Sequence, residues 1–207
     1  MDQTRLTSDV TSGAGAAAVA AVRPCARVDT DRLLDGSLVR IEPLRRGDAA
    51  TVRRLFGALS SESRLRRFFS PVTVLSDRQL AFLTDVGRDG HQAMAAVDPR
   101  DGTVLGIARY VQYHDRPGVA DVAVAVADEV HRRGVGTVLM ARLVACAHAS
   151  GFHLLTATTL WENRAARALL KGAGFHAIGS SGSEIELELR LEAAPPQVPV
   201  GGDPLVG

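Results

Sequence analysis

Lysine is almost absent from this chain of 207 residues, because Lys171 is the only lysine among 24 basic residues and the others are arginine. A compositional bias of the source genome explains this better than a functional avoidance of lysine. The chain also lacks a surplus of positive charge, since its formal net charge is +1. Nucleic-acid binding by counterion release needs such a surplus. The composition therefore argues against a nucleic-acid partner.

Long apolar runs and paired cysteine motifs are missing as well. No run approaches the ~20 apolar residues needed to span a bilayer, which predicts no membrane partner. Cys25 and Cys146 have no CxxC spacing, so we expect free thiols in a cytoplasmic protein. Residues 13–22 resemble the apolar part of a secretory signal, but Asp2 and Asp9 precede them, and secretion is the less favoured alternative.

Irregular sequence is confined to the two ends of the chain. Residues 1–36 show no sustained periodicity and are predicted to be a disordered segment, and residues 192–207 carry prolines and glycines that predict a flexible tail. No Pro/Gly/Ser linker divides the chain between them, so residues 37–191 are predicted to form one domain. The sequence leaves the oligomeric state open.

The hydrophobic pattern predicts a mixed α/β fold (α+β) with a central, mostly antiparallel sheet flanked by helices. Asp48, Ser60 and Ser76 are candidate N-caps of three short helices. Three strands with turn residues between them then predict an antiparallel meander. A helix, a strand and another helix follow, which adds a parallel crossover before a final strand pair. The meander strands are predicted at 91–98, 103–114 and 118–128, after a strand at 37–44, and the later elements at about 134–150, 152–159 and 163–172.

Residues 131–136, HRRGVG, join the last meander strand to the longest helix. Gly134 and Gly136 let the backbone approach a ligand closely, and the N–H groups of the first helical turn lack intrahelical partners. The helix dipole adds about half a positive charge there, and Arg132 and Arg133 are suited to phosphate oxygens. The segment therefore predicts a pyrophosphate site. By itself it has an alternative, a tight turn with solvated arginines.

Other motifs that would define a different chemistry are absent. Neither the Walker pattern nor the dinucleotide fingerprint matches, and no GxSxG motif supports a covalent acyl-enzyme. His148 and His153 lie five residues apart on either side of a predicted helix end, so no metal is expected. Residues 64–69, RLRRFF, are interpreted as a core-facing stripe with arginines outside, in preference to a nucleic-acid surface.

The segment HRRGVGTVLM after an antiparallel strand resembles the acyl-CoA loop of the GNAT superfamily of N-acyltransferases. This resemblance implies that acetyl-CoA is the acyl donor and that the loop amides bind its pyrophosphate. His131 replaces the Gln or Arg of the pattern and is given no binding role. The donor-binding residues implied in and before the loop are Val124, Val126, Arg132, Arg133, Gly134, Val135, Gly136 and Thr137.

Residues 161–175, WENRAARALLKGAGF, resemble the second half of the GNAT signature, in which Asn163 contacts the pantetheine arm. Leu170 stands where many relatives carry a tyrosine thought to protonate the leaving thiolate. The segments VRIEPLRRGDAATVRRLFGALSSESRLRRFFSP and VADVAVAVADEV are similar to the catalytic domain of bacterial Pat-type protein lysine acetyltransferases, which also lack that tyrosine. The resemblance covers about residues 37–191.

The resemblance implies an N-acetyltransferase that acts on a primary amine. Lysine side chains of proteins are the first candidate acceptor, and a small-molecule or N-terminal amine is an alternative. Asp121, the only acid in the body of its strand, aligns with the glutamate that Pat-type enzymes use as general base. It is one methylene shorter, so we expect a bridging water; its alternative role is to close the preceding turn. A further hypothesis is a degenerate domain that binds acyl-CoA as a sensor or scaffold.

Overall fold

The computed structural model describes residues 27–88 and 90–192, which form one eight-stranded sheet and five α-helices. The strands are β1 (Asp29–Arg32), β2 (Leu38–Pro43), β3 (His91–Val97), β4 (Val104–Gln112), β5 (Val119–Val126), β6 (Leu154–Leu160), β7 (His176–Ser181) and β8 (Glu184–Arg190). The helices are α1 (Ala49–Gly57), α2 (Ser61–Phe68), α3 (Asp77–Thr84), α4 (Val135–Ala149) and α5 (Arg164–Gly172).

The strands lie in the order β1-β2-β3-β4-β5-β6-β8-β7. Neighbours pair antiparallel except β5 and β6, which are parallel and are joined through α4. The predicted mixed α/β fold, with its meander and its parallel crossover, is confirmed. The insertion of β8 between β6 and β7 is a property of the final strand pair that the sequence pattern does not specify.

The sheet begins earlier than the sequence predicts. β1 lies inside the segment 1–36 that was expected to be disordered, where it pairs with β2. Arg142 of α4 holds it by ion pairs to Asp29 at 2.7 Å and Asp31 at 2.8 Å. Four residues are too few for a periodicity signal, so this boundary moves to residue 29 or earlier. Residues 1–26 and 193–207 lie outside the described residues.

Three helices begin at the side chains that the sequence predicts as caps. The Asp48 side chain accepts a hydrogen bond from the Thr51 N–H at 3.0 Å, Ser60 caps α2 in the same way, and Ser76 forms a capping box at the start of α3. Such caps typically contribute about 1 kcal/mol each. Among the helices of the described ranges, none combines the length and the hydropathy that crossing a bilayer requires.

The sheet separates two hydrophobic clusters. The larger one lies between the sheet and α4 and α5, with Leu139 and Leu155 fully buried. The smaller one lies between the sheet and α1–α3 and includes Val52 and Leu80. Side chains alternate between the two faces of a strand, so the even-numbered residues of β5 face the larger cluster. Asp121 and the other odd-numbered residues of β5 face α1–α3.

Cys146 lies in the larger cluster and is 3% exposed. It is disulfide-bonded, so the prediction of a free thiol is wrong for this residue. An apolar helical face predicts burial, but the geometry that permits a disulfide depends on distances between Cα atoms that are set by the fold. Cys25 lies outside the described residues.

Candidate active site

The parallel strands β5 and β6 separate along their length and leave a gap in the sheet. Their pairing is limited to Val119–Asp121 with Leu154–Thr156, whereas β5 stays paired with β4 as far as Val126. The N–H of Ala127 donates to β4, so the backbone groups of odd-numbered residues face β4. Because this direction alternates along a strand, the N–H and C=O of Val124 face the gap. A strand edge of this kind offers hydrogen bonds to an extended ligand that contains amides.

The end of β5 is tied to the loop that follows it. The carbonyl oxygen of Val126 accepts a hydrogen bond from Nε2 of His131 at 3.0 Å. A carbonyl only accepts, so this ring nitrogen carries the hydrogen. Of the two valines predicted to contact the donor, Val124 presents both backbone groups to the gap, and Val126 has its carbonyl engaged within the protein. His131 thus has a structural role.

The N-terminus of α4 is open. Gly134 precedes the helix in a left-handed conformation with φ +93°, and no side chain caps the helix. The N–H of Val138 donates to the Gly134 carbonyl at 3.0 Å, which leaves the amides of Val135, Gly136 and Thr137 at the helix end. With the positive end of the helix dipole behind them, these amides are arranged to bind an anion.

The two arginines of the loop differ in what they contact. Nε of Arg133 lies 2.6 Å from Oδ2 of Asp35, and its Nη2 donates to the Ser37 hydroxyl at 3.0 Å. Hydrogen bonds from the hydroxyl and the backbone N–H of Ser37, together with the bond from Arg133, lower the pKa of Asp35 to about 2. Arg132 is exposed, with φ 63°, and its side chain has no hydrogen bond or ion pair to another residue in the described part of the chain. Arg132 is therefore the arginine placed to reach a phosphate, and Arg133 anchors the loop to the turn between β1 and β2.

Gly134 is constrained both by its backbone and by its neighbour Leu34. A Cβ at position 134 would lie 2.9 Å from Cγ of Leu34. We expect Gly134→Ala to lower the free energy of unfolding by roughly 1–2 kcal/mol through left-handed strain, with the clash adding to this loss. Gly151→Ala is the matched control, because Gly151 has φ +84° and a Cβ there meets nothing within 4 Å. Urea unfolding should show the larger loss for Gly134→Ala; equal losses would contradict a role for the Leu34 contact.

Asp121 lies where the gap between β5 and β6 opens. The hydroxyl of Thr156, its register partner on β6, hydrogen-bonds to the carboxyl group and lies 3.0 Å from the hydroxyl of Tyr113. Burial raises the pKa of Asp121 to about 6, against the opposing effects of Arg67, Arg109 and the Thr156 hydrogen bond. A carboxyl group with such a pKa is mostly ionised at pH 7 and takes up a proton readily, which suits a general base.

The raised pKa of Asp121 predicts how stability depends on pH. The ordinary value is 3.8, so between about pH 4 and 6 the folded state binds more protons than the unfolded state, and above pH 6 the ionised carboxylate destabilises the fold. Asp121→Asn should therefore raise the free energy of unfolding at pH 8 by roughly 1–3 kcal/mol, at about 1.4 kcal/mol per pKa unit. This gain should vanish below pH 4.

Urea unfolding at pH 4, 6 and 8 measures this effect. Asp115→Asn serves as the control, because Asp115 is exposed in the turn between β4 and β5 and should show little dependence on pH. A gain for Asp121→Asn that is equal at pH 4 and pH 8 would rule out burial of the charge as its cause.

Asn163 caps α5 at the end of β6, across the gap from β5. Its Oδ1 accepts a hydrogen bond from the Ala166 N–H at 3.1 Å, which leaves the side-chain NH₂ as the group that can donate to a ligand. Leu170 is buried in the larger cluster at 5% exposure and has no ionisable group. Asn163 thus has a structural role as a cap beside its predicted contact with pantetheine.

Two arginines lie close to Asp121 that the sequence pattern does not predict there. Segment 64–69 is predicted to be a core-facing stripe, but only Phe68 packs on the smaller cluster, and Leu65 and Phe69 are 38% and 40% exposed. Arg67 of α2 instead lines a cavity together with Arg109 of β4. The face that a helix of eight residues turns inward is decided by the sheet that it packs on, and its own pattern was too short to specify that face.

Metal-ligating residues do not cluster in residues 27–88 and 90–192, where no group of three or more His, Cys, Asp or Glu side chains is placed to hold an ion. His148 contacts the carbonyl oxygen of Glu192 through Nε2 at 2.7 Å.

A mixed sheet that splits between two parallel strands, beside the open N-terminus of the crossover helix, is the architecture of an acyl-CoA-dependent transferase. The acetyltransferase (GNAT) family model matches residues 61–175, and this chain belongs to that family. It is a GNAT acetyltransferase with acetyl-CoA as its acyl donor.

Comparisons with individual proteins agree with this assignment. Acetyltransferase PA5475 of Pseudomonas aeruginosa is 32% identical over 170 residues, which cover 81% of this chain and 90% of that protein. Acetyltransferase Pat of Mycolicibacterium smegmatis is 30% identical over 141 residues, which cover 67% of this chain but only 41% of that protein. The GNAT domain of S. lividans PAT superimposes with a TM-score of 0.74 at 25% identity and covers 79% of this chain and 97% of that domain.

Proposed function

We propose that this enzyme transfers the acetyl group from acetyl-CoA to a primary amine, with lysine side chains of proteins as the first candidate acceptor and Asp121 as general base. The observation that carries the proposal is the position of Asp121, an acid with a raised pKa, where β5 and β6 separate. Similarity to the Pat-type lysine acetyltransferases supports lysine as the acceptor.

The donor would be held by groups that the fold brings to the gap between β5 and β6. The amides of Val135, Gly136 and Thr137, with Arg132 beside them, would bind the pyrophosphate. The backbone of Val124 and the side-chain NH₂ of Asn163 would hydrogen-bond to the pantetheine arm. This arrangement orients the thioester toward Asp121 on the neighbouring face of β5.

The acceptor amine must lose a proton to react. A lysine ammonium has an ordinary pKa of about 10.4, so the neutral form at pH 7 costs about 4.6 kcal/mol at 1.36 kcal/mol per unit. Asp121 accepts this proton through a bridging water, and the positive charges of Arg67 and Arg109 disfavour the ammonium form. The neutral nitrogen attacks the thioester carbon, the C–N bond forms as the C–S bond breaks, the nitrogen releases its second proton to water, and CoA leaves as its thiolate. Leu170 cannot protonate it, so the proton comes from solvent.

Binding and transfer can be tested separately. Isothermal titration should show acetyl-CoA binding, and its absence at millimolar ligand with folded protein would overturn the enzymatic proposal. A lysine-containing peptide with a blocked N-terminus should be acetylated, and the same peptide with arginine in place of lysine should not. Because Lys171 is the only lysine of the enzyme, intact-mass spectra of the enzyme itself should show little background.

A second candidate function is an acyl-CoA sensor or scaffold without turnover. It is favoured by Leu170, a buried apolar residue at the position where many relatives carry the tyrosine thought to protonate the thiolate, and by the shorter acid at Asp121. Tight acetyl-CoA binding without release of CoA, across a panel of proteins, polyamines and small amines, would favour this function over the first.

The cytoplasmic location stays a prediction. An acetyl-CoA-dependent reaction supports it, whereas the disulfide bond of Cys146 is more typical of an oxidising compartment.

A further inference from the structure

A cavity lies between α1–α3 and strands β4 and β5, on the sheet face that carries Asp121. Its volume is about 40 Å³ and its walls are mostly apolar, with Phe56, Phe68 and Ala123 among them. Within the described residues, Arg67 and Arg109 are the only charged side chains that line it. One water needs about 10–15 Å³ by this measure. The cavity thus has room for about three water-sized groups, which is the size of a carboxylate.

Arg109 is buried, at 4% exposure, with an incomplete set of partners. Its Nη2 donates to Nε2 of His91 at 2.6 Å, and its guanidinium lies 4.6 Å from the centre of the Phe82 ring. Its Nη1 has no hydrogen-bond partner. A buried donor that stays unpaired loses its hydration without compensation, so this atom is expected to serve a ligand.

The charges around the cavity do not balance. His91 adds no charge at pH 7, because burial and the neighbouring Arg109 lower its pKa to about 4. Asp85, the acid next to His91, is half-buried and paired with Arg46 and Arg88. Among the described residues, Asp121 is the acid whose negative charge stabilises the charged forms of both Arg67 and Arg109. Two guanidinium groups thus face a single carboxylate in a largely apolar setting, which favours an anionic ligand.

We propose that the cavity between Arg67 and Arg109 binds a small carboxylate that one of the two substrates carries next to the reacting group. This proposal rests on the proposed function for the identity of the reaction, but the carboxylate site itself does not. Two sources fit the chemistry: an α-amino acid as the acceptor, or an acyl-CoA whose acyl group ends in a carboxylate as the donor.

The acceptor is the favoured source, and a free α-amino acid corresponds to the small-molecule amine that is the alternative to a protein lysine side chain. Arg109 pairs directly with Ala123 on β5, and Asp121 is the next residue on the same face, so the two positions are diagonal neighbours about 7–8 Å apart at their backbones. The amine and the carboxylate of an α-amino acid are joined by one carbon atom. A carboxylate on Arg109 therefore leaves the amine within reach of Asp121, directly or through water.

The site can be tested without any reaction, with propionate as the probe. Propionate should raise the thermal unfolding temperature of the wild-type protein, and its neutral isostere propionamide should not. The effect should be lost in Arg67→Gln and in Arg109→Gln and kept in Arg53→Gln, which removes an exposed arginine of α1 outside the cavity. If Arg109→Gln does not fold, the effect of propionate on Arg67→Gln alone shows whether the cavity arginines bind the carboxylate. No stabilisation by propionate, or equal stabilisation by propionamide, overturns the site.

The source of the carboxylate is decided by kinetics. With acetyl-CoA, kcat/KM for free amino acids should exceed that for their amides by at least tenfold, and this ratio should fall toward one in Arg67→Gln. A preference for succinyl-CoA over acetyl-CoA that depends on Arg67 would support the site and assign the carboxylate to the donor. If the enzyme prefers neither free amino acids over their amides nor succinyl-CoA over acetyl-CoA, the cavity does not bind a substrate carboxylate. Propionate binding with no transfer to any amine would leave the site intact and overturn the proposed function.

Discussion

Asp121→Asn should lower turnover at pH 7 by at least tenfold and leave the affinity for acetyl-CoA unchanged. General bases typically contribute about 10²- to 10⁴-fold, and an asparagine of the same size cannot accept the proton of the amine. The amides of Val135–Thr137, which we propose to bind the donor, lie at the start of α4, away from this position. Steady-state kinetics for turnover and isothermal titration for affinity test the two parts separately.

The pH profile identifies the cause of that loss. In the wild-type enzyme kcat/KM should rise with pH through about 6, as Asp121 loses its proton. The variant should lack this step and recover part of its activity at higher pH, because more of the acceptor amine is then neutral. Asp115→Asn, in an exposed turn, is the matched control and should keep the wild-type profile. If turnover is unchanged in Asp121→Asn under conditions where chemistry limits the rate, Asp121 is not the general base.

Thr137→Glu should weaken acetyl-CoA binding at least tenfold without destabilising the protein. Thr137 is exposed in the first turn of α4, where a negative charge favours the helix by about 0.3–1 kcal/mol. The same charge repels a pyrophosphate at the helix end. Acetyl-CoA affinity should therefore fall while the free energy of unfolding stays the same or rises. This combination distinguishes a direct effect on the binding site from an indirect effect of unfolding. Titration calorimetry and urea unfolding measure the two quantities.

Thr137→Gln is the control for size, since it has the length of glutamate without its charge. Its Kd should stay within about threefold of the wild-type value, and the defect of Thr137→Glu should shrink as salt screens the repulsion. Equal weakening by both substitutions would point to a steric effect. Unchanged binding in Thr137→Glu would remove the helix end as the pyrophosphate site.

The sequence was most informative where a feature depends on neighbouring residues. The Asp48, Ser60 and Ser76 caps were predictable because each cap bonds to an amide three residues on. The uncapped N-terminus of α4 at Gly134 was predictable for the same reason. The change from strand to helix at this glycine depends only on the residues next to it. The family resemblance added Asp121 as the candidate base.

Features that depend on contacts between distant segments could not be predicted in this way. The strand β1 is ordered by β2 and by Arg142, and Arg133 is engaged by Asp35, 98 residues earlier in the chain. Both contacts change how the predicted site is interpreted, since within residues 27–88 and 90–192 only Arg132 of the two loop arginines has a side chain without a hydrogen bond or ion pair.

The sequence by itself determined the order of helices and strands from β2 onward, the uncapped helix end at Gly134 and the position of an acid on β5, because periodicity, caps and glycine positions act over a few residues. Only the tertiary structure decided which side chains surround that acid. Arg67 and Arg109 come from a helix and a strand 42 positions apart, and their meeting at one cavity beside Asp121 depends on how α2 packs on the sheet. Burial at that meeting point, and not the residue type, raises the pKa of Asp121 against the opposing charges of the two arginines. The same burial leaves Nη1 of Arg109 without a hydrogen-bond partner among the described residues.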